Sequence, residues 1–233
     1  SESRTEERPN HWFEPDGYYT TISEFDRIPR MFSKLVSKYG EEKVLENGTA
    51  PWRIRQLMNY AVEALNNNNY KKALQMAGTM SHYVGDLSQP LHVTVNYDGQ
   101  NSKQEGAHKY FETTVVEAMD RDALVEKVAK QAAKLLADPK FIAQFQDTLE
   151  ESLFNEIKRS YKKVDDVLRA DKASDRSKKG TADMRNLIVE RMADGAASLA
   201  ILLGVIWEQG GDSEYSSKLT VSDPKFVPVA FDK

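Results

Sequence analysis

Apolar residues in this chain recur at intervals of three and four for most of its length, and that period selects helices as its regular structure. Phe32, Leu35, Val36 and Tyr39 form one stripe, with Pro29 suited to the first turn and Gly40 to the stop. A second helix reads from Pro51, with Trp52, Ile54, Leu57, Met58, Ala61 and Leu65 on one side, and ends at the asparagine run 66–69. A third spans 70–88 through Leu74, Ala77, Met80 and Val84, and Pro90 closes it.

Beyond a loop rich in Asn, Gly and Gln (96–106), a fourth helix carries Phe111, Val115 and Met119. Two more are expected over 122–137 and 139–170, the longer one keeping Phe141 to Leu168 in register throughout. The charged stretch 171–180 reads as a solvated linker. The last helix, 182–209, is apolar almost all round near its end, as expected of a buried central helix. From 210 onward, Pro224 and Pro228 limit the tail to loop or edge strand. Alternating strand patterns are missing, so the predicted fold is all-α, a single multi-helix bundle occupying 1–233 with an irregular tail over 210–233.

Composition narrows the function. The 32 basic residues stand against 36 acidic ones, a net charge of −4 that argues against bulk electrostatic binding of nucleic acid. The absence of Cys removes disulfides, thiolate nucleophiles and Cys-ligated metals. The longest apolar run, 199–207, falls well short of the roughly twenty residues that span a bilayer, so no membrane insertion is expected. The chain opens Ser-Glu-Ser-Arg without Met or a leader pattern, which reads as a processed or shortened product.

The four histidines carry the chemistry. His82 and Asp86 lie one helical turn apart, as do His108 and Glu112, so each pair projects from one helix face. His92 follows just past the Pro90 stop, and His11 sits in Asn10-His11-Trp12-Phe13-Glu14-Pro15-Asp16. A histidine with an acid one turn away is commonly a surface ion pair. The whole series His-x3-Asp-x5-His-x15-His-x3-Glu is much rarer, and it suits zinc, which takes imidazole nitrogen and carboxylate oxygen at about 2 Å in sites of about four ligands.

At these residues the chain resembles the superfamily of bacterial zinc-dependent phospholipases C and fungal single-strand-specific zinc nucleases. The likeness rests on the stretch from His82 to His92 with its Gly85-Asp86-Leu87-Ser88-Gln89-Pro90-Leu91-His92 core, on Gly106-Ala107-His108-Lys109-Tyr110-Phe111-Glu112, and on the segment around His11. The resemblance implies up to three Zn2+ ions. His11, His82 and Asp86 would hold the first, and His92, His108 and Glu112 the second. Asp86, the residue assigned a catalytic role, would bridge to the third.

The family's N-terminal Trp and the following His and Asp ligands have no counterpart here. Glu2, Glu6 and Glu7 stand at no matching spacing, so a missing first segment is expected. The implied activity is phosphodiester hydrolysis by direct attack of water, phospholipase C-like, with a single-strand nuclease as the alternative. A non-catalytic zinc-stabilised helical module is the third reading. The substrate would be a phospholipid head group or a single-stranded nucleic acid, handled by a monomer that is secreted or periplasmic. Trp12, Tyr97 and Tyr110 are candidates to line the substrate cleft, set against the commoner role of aromatics as core.

Overall fold

The computed structural model describes residues 7–19, 21–177 and 179–210, and among them the regular structure is entirely helical. Short 3-10 turns at Arg8–His11, Pro15–Gly17 and Ile22–Arg27 lead into α1 (Phe32–Tyr39) and α2 (Glu41–Glu46). Pro29 lies before α1, outside its first turn. Then come α3 (Ala50–Asn66) and α4 (Tyr70–Ser88), joined as a tight αα-hairpin. The asparagine run makes that turn: Asn68 adopts φ +56°, and the Asn69 side chain accepts from the Lys72 N–H to cap α4.

A 3-10 turn, Pro90–Val93, follows α4. The next helical stretch is compound: α5 (Ala107–Lys109), a π-turn over Tyr110–Thr114, and α6 (Val115–Glu117). It is followed by α7 (Arg121–Leu136), α8 (Pro139–Ile142), a 3-10 turn (Ala143–Phe145), α9 (Leu149–Tyr161), α10 (Val164–Lys172) and α11 (Ala182–Gln209).

The helix expected over 139–170 is thus three α-helices and a 3-10 turn. The Thr148 hydroxyl accepts from the Glu151 N–H and starts α9 afresh, while a turn at Lys162 and Lys163 separates α10. The apolar register continues across the breaks because Phe154, Ile157, Val164 and Val167 are all buried.

Helices α3 and α4 pack together, and α11 lies against both α4 and α7. The largest core gathers Phe13, Trp52 and Phe154 with ring centroids 5.1–6.2 Å apart, an aromatic cluster joined by Leu57, Val84 and Leu87. A second core holds Leu91, Phe111, Val115, Val167 and Ile188. The chain crosses from one to the other between Leu87 and Leu91, and this crossing positions the site.

Two further expectations change. The middle of α11 is buried, but Leu203 and Trp207 near its end are 39% and 42% exposed, so apolarity all round there does not mark burial among the described residues. The stretch 171–180 is no free linker: buried Asp171 accepts from Arg176 and from Gln104, and Arg176, at φ +54°, also donates to the Gln104 and Glu105 carbonyls. The expected tail from 211 lies outside the described residues.

Candidate metal centre

The histidine and carboxylate side chains singled out by spacing fall into two groups of three, each with its candidate ligand atoms within 4.8 Å of one another. His11, His82 and Asp86 form the first group; His92, His108 and Glu112 form the second.

In the first, α4 projects His82 and Asp86 from one face, with His82 Nε2 3.5 Å from Asp86 Oδ2. His11 arrives from the 3-10 turn Arg8–His11, its Nδ1 3.1 Å from Asp86 Oδ2 and 3.0 Å from His82 Nε2. That turn is fastened by a buried network. Glu7 pairs with Arg53, the two being 2% and 1% exposed, and accepts from Tyr83 Oη at 3.0 Å and Asn10 Nδ2 at 2.9 Å. The Thr49 hydroxyl in turn donates to Asn10 Oδ1 at 2.7 Å. Glu7, without a ligand's spacing in the sequence, has this anchoring role instead.

In the second group, Glu112 Oε2 lies 2.9 Å from His108 Nε2 and 3.3 Å from His92 Nε2. The far nitrogen of each ring faces a backbone carbonyl: His92 Nδ1 donates to His11 O at 2.6 Å, and His108 Nδ1 donates to Tyr97 O at 3.0 Å. A carbonyl can only accept, so each neutral ring carries its proton on Nδ1 and turns the Nε2 lone pair toward Glu112. This is the arrangement in which histidine ligands are held. The His92–His11 bond, together with Phe13 N donating to His92 O at 3.1 Å, also ties the two groups together.

The electrostatics of the second group favour added positive charge. When a further proton sits on Nε2, His108 and His92 donate to Glu112 and hold its carboxyl far below the usual carboxylate range, against its partial desolvation. For His92, burial disfavours the charged ring, yet its bond to Glu112 and the charge of Asp86 carry its pKa upward. Two imidazole nitrogens converging on a carboxylate oxygen fit a divalent cation such as zinc. The first group offers the same donor types.

Residues around these six also contribute, and their spacing gives little sign of it. Gln89 accepts from Leu91 N through its Oε1 and turns its amide nitrogen to within 3.2 Å of His108 Nε2 and 3.1 Å of Glu112 Oε2. Asp98 accepts from the N–H groups of Gly106 and His108 at 2.9 and 3.3 Å, capping the start of the helix that carries His108. Gly99 turns this loop at φ +79°, where a Cβ would fall 2.5 Å from the Gln104 carbonyl oxygen. Asp16 holds the opposite side, accepting from Thr94 Oγ1 and Val95 N.

A cavity of about 370 Å³ touches the first group at His82 and Asp86 and the second at Glu112, with Gln89 also in its lining. The rest of its lining is largely apolar, with Phe111, Val116, Ile188, Met192 and Leu199, and includes Arg191. Of the aromatics considered for the cleft, Tyr97 is exposed, Tyr110 is buried with its hydroxyl on Ser177 O, and Trp12 bonds Glu46 O through Nε1. Among the described residues, no helix is long and apolar enough to cross a membrane.

Comparison with known proteins adds an independent line. A curated relative, a probable serine protease from Bradyrhizobium tropiciagri, is 27% identical over 218 residues, covering 80% of this chain. The match takes in 27% of that relative, so the chain spans about a quarter of its length. No solved structure matches. The family model described as zinc dependent phospholipase C matches residues 13–198, which takes in five of the six clustered residues and leaves His11 just outside. Helical fold and family model agree, and the chain belongs to the zinc-dependent phospholipase C family.

Proposed function

We propose that the chain is a zinc-dependent phosphodiester hydrolase of phospholipase C type. His11, His82 and Asp86 would hold one ion, and His92, His108 and Glu112 a second. The observation that carries the reading is the cavity shared by the two groups, lined by donor residues of both and by apolar side chains.

Zinc, when bound, supplies Lewis acidity toward a phosphoryl oxygen and toward water. The protein's part is to set the donors beforehand. His92 and His108 keep their Nδ1 protons on the His11 and Tyr97 carbonyls and present Nε2. Asp86, buried at the cavity edge, accepts a hydrogen bond from the attacking water and orients it toward phosphorus. Phe111, Val116 and Ile188 exclude bulk water and receive the uncharged part of the substrate, which favours a phospholipid.

A single-stranded nucleic acid is the second reading. Tyr97, exposed beside His108, is the group that could stack on a base. We place the activity outside the cytoplasm, as the family resemblance implies. A cavity open to both groups argues for catalysis over a purely structural zinc module, which would close every ion with protein donors.

The test uses the zinc-loaded protein and bis(p-nitrophenyl) phosphate, then phosphatidylcholine vesicles and single-stranded DNA in parallel. Release of p-nitrophenol with cleavage of the lipid is the expected result. Cleavage of DNA alone selects the nuclease, and failure on all three substrates removes the hydrolase assignment.

A further inference from the structure

The C-terminal end of α4 is where both groups are set, because Asp86 stands just before it and Gln89 and His92 just after. The last four carbonyls of an α-helix have no partner within the helix, and Pro90, lacking an N–H, cannot serve them. Here all four are satisfied. Gly85 O accepts from Ser88 Oγ at 2.8 Å and Asp86 O from Gln89 N at 3.1 Å.

The other two carbonyls are met from distant helices. Leu87 O accepts from Ser160 Oγ of α9 at 2.6 Å, and Ser88 O accepts from Arg191 Nε of α11 at 3.0 Å. The same guanidinium donates to Ser160 Oγ at 2.9 Å and to Asp194 Oδ2 at 3.1 Å. Asp194 is held in turn by Arg159, which also reaches Ser198 Oγ at 3.2 Å.

Arg191 borders the cavity but is only 4% exposed, and each of its three guanidinium nitrogens already has a partner. It is therefore poorly placed to hold a phosphate and well placed to hold α4. Its positive charge also sits at the negative end of that helix. Close packing supports the same contact: a Cβ on Gly195 would lie 2.6 Å from Ser88 Oγ.

We propose that Arg191 is a positioning residue for both groups: by holding the Ser88 carbonyl directly and the Leu87 carbonyl through Ser160, it fixes the turn that sets Asp86 and His92 relative to one another. The inference rests on the reading of these groups as zinc sites, and the experiment separates the two. Cobalt(II) is titrated into metal-free protein, followed by its visible absorption and by competition with a chelator, and helicity is checked at the same temperature.

Arg191→Met is expected to weaken metal binding at both sites by about tenfold or more with helicity retained, and Ser160→Ala to fall between it and the parent. Ser198→Ala, which alters the same buried network at Arg159 and Glu156 and touches neither α4 carbonyl, is expected to bind as the parent does. Parent-like binding by Arg191→Met and Ser160→Ala overturns the assignment, as does an equal loss in Ser198→Ala, which would mean general destabilisation. If Arg191→Met does not fold, Ser160→Ala decides. If the parent itself takes up no cobalt, the zinc reading fails and the positioning role falls with it.

Discussion

Glu7 offers the sharpest test of how the N-terminal turn is held. Glu7→Gln keeps the shape of the side chain and removes the charge that faces Arg53, at a place where the two are 2% and 1% exposed. Breaking a buried ion pair from one side costs about 3–5 kcal/mol, because the remaining charge is left in a poorly solvating interior. For a chain of this size each kcal/mol moves the Tm by about 2–4 °C, so a fall of about 6–20 °C is expected. Circular dichroism at 222 nm during heating of the metal-free protein reads it. Glu7→Gln/Arg53→Met should recover much of the loss, since an apolar replacement of both partners is often close to neutral. A Tm within 2 °C of the parent for the single variant, or a double variant no more stable than Glu7→Gln, refutes the argument.

Three other outcomes follow from the site and its surroundings. His92→Ala removes one of three donors in the second group and should reduce hydrolysis of an activated phosphodiester to background while helicity by circular dichroism is kept; collapse of the fold would mark a structural metal. Asp98→Ala uncaps the helix that carries His108, which should cost about 1–2 kcal/mol in thermal unfolding and lower the affinity of the second metal; unchanged zinc affinity counts against the capping role. Burial first, then the charge of Asp194, raises the Glu156 carboxyl from 4.5 to about 8 against the pull of Arg159 and Arg191. The folded chain then holds that proton more tightly than the unfolded one. This stabilisation is full below about pH 4.5 and is lost as pH rises through about 8, at up to about 1.4 kcal/mol per pH unit. Glu156→Gln should flatten the fall in urea-unfolding stability over that range, and parallel curves would refute the assignment.

Local signals account for what could be read from the amino-acid order. The helix over 70–88 is bounded by an asparagine cap and a proline stop, both acting within a few residues, and α4 has those limits. The two one-turn pairs, His82 with Asp86 and His108 with Glu112, depend only on helix geometry, and the structure places each pair together. Where the expectation failed, a local cue was outweighed by a longer one. Thr148-Leu149-Glu150-Glu151 is a capping-box pattern, yet the apolar stripe running past it suggested an unbroken helix. Asp171 and Arg176 look like solvated charges because their shared partner, the loop at Gln104, lies some seventy residues away. A longer separation hides Arg191, whose acceptor Ser88 is 103 residues earlier.

The π-turn at Tyr110–Thr114 gives the helix of His108 and Glu112 one residue to spare. Within it the Val115 N–H reaches back five residues, to Tyr110 O, so the stretch holds one residue more than an ordinary α-turn. Removal of a single residue there would let the backbone close with α spacing, and because the π-turn already absorbs that residue, the segment from Val115 onward would keep its facing relative to His108. Val115, fully buried, would stay in the core it shares with Ile188. In a regular helix a one-codon deletion re-aims the whole downstream face by about 100°, whereas within this turn the backbone takes it up.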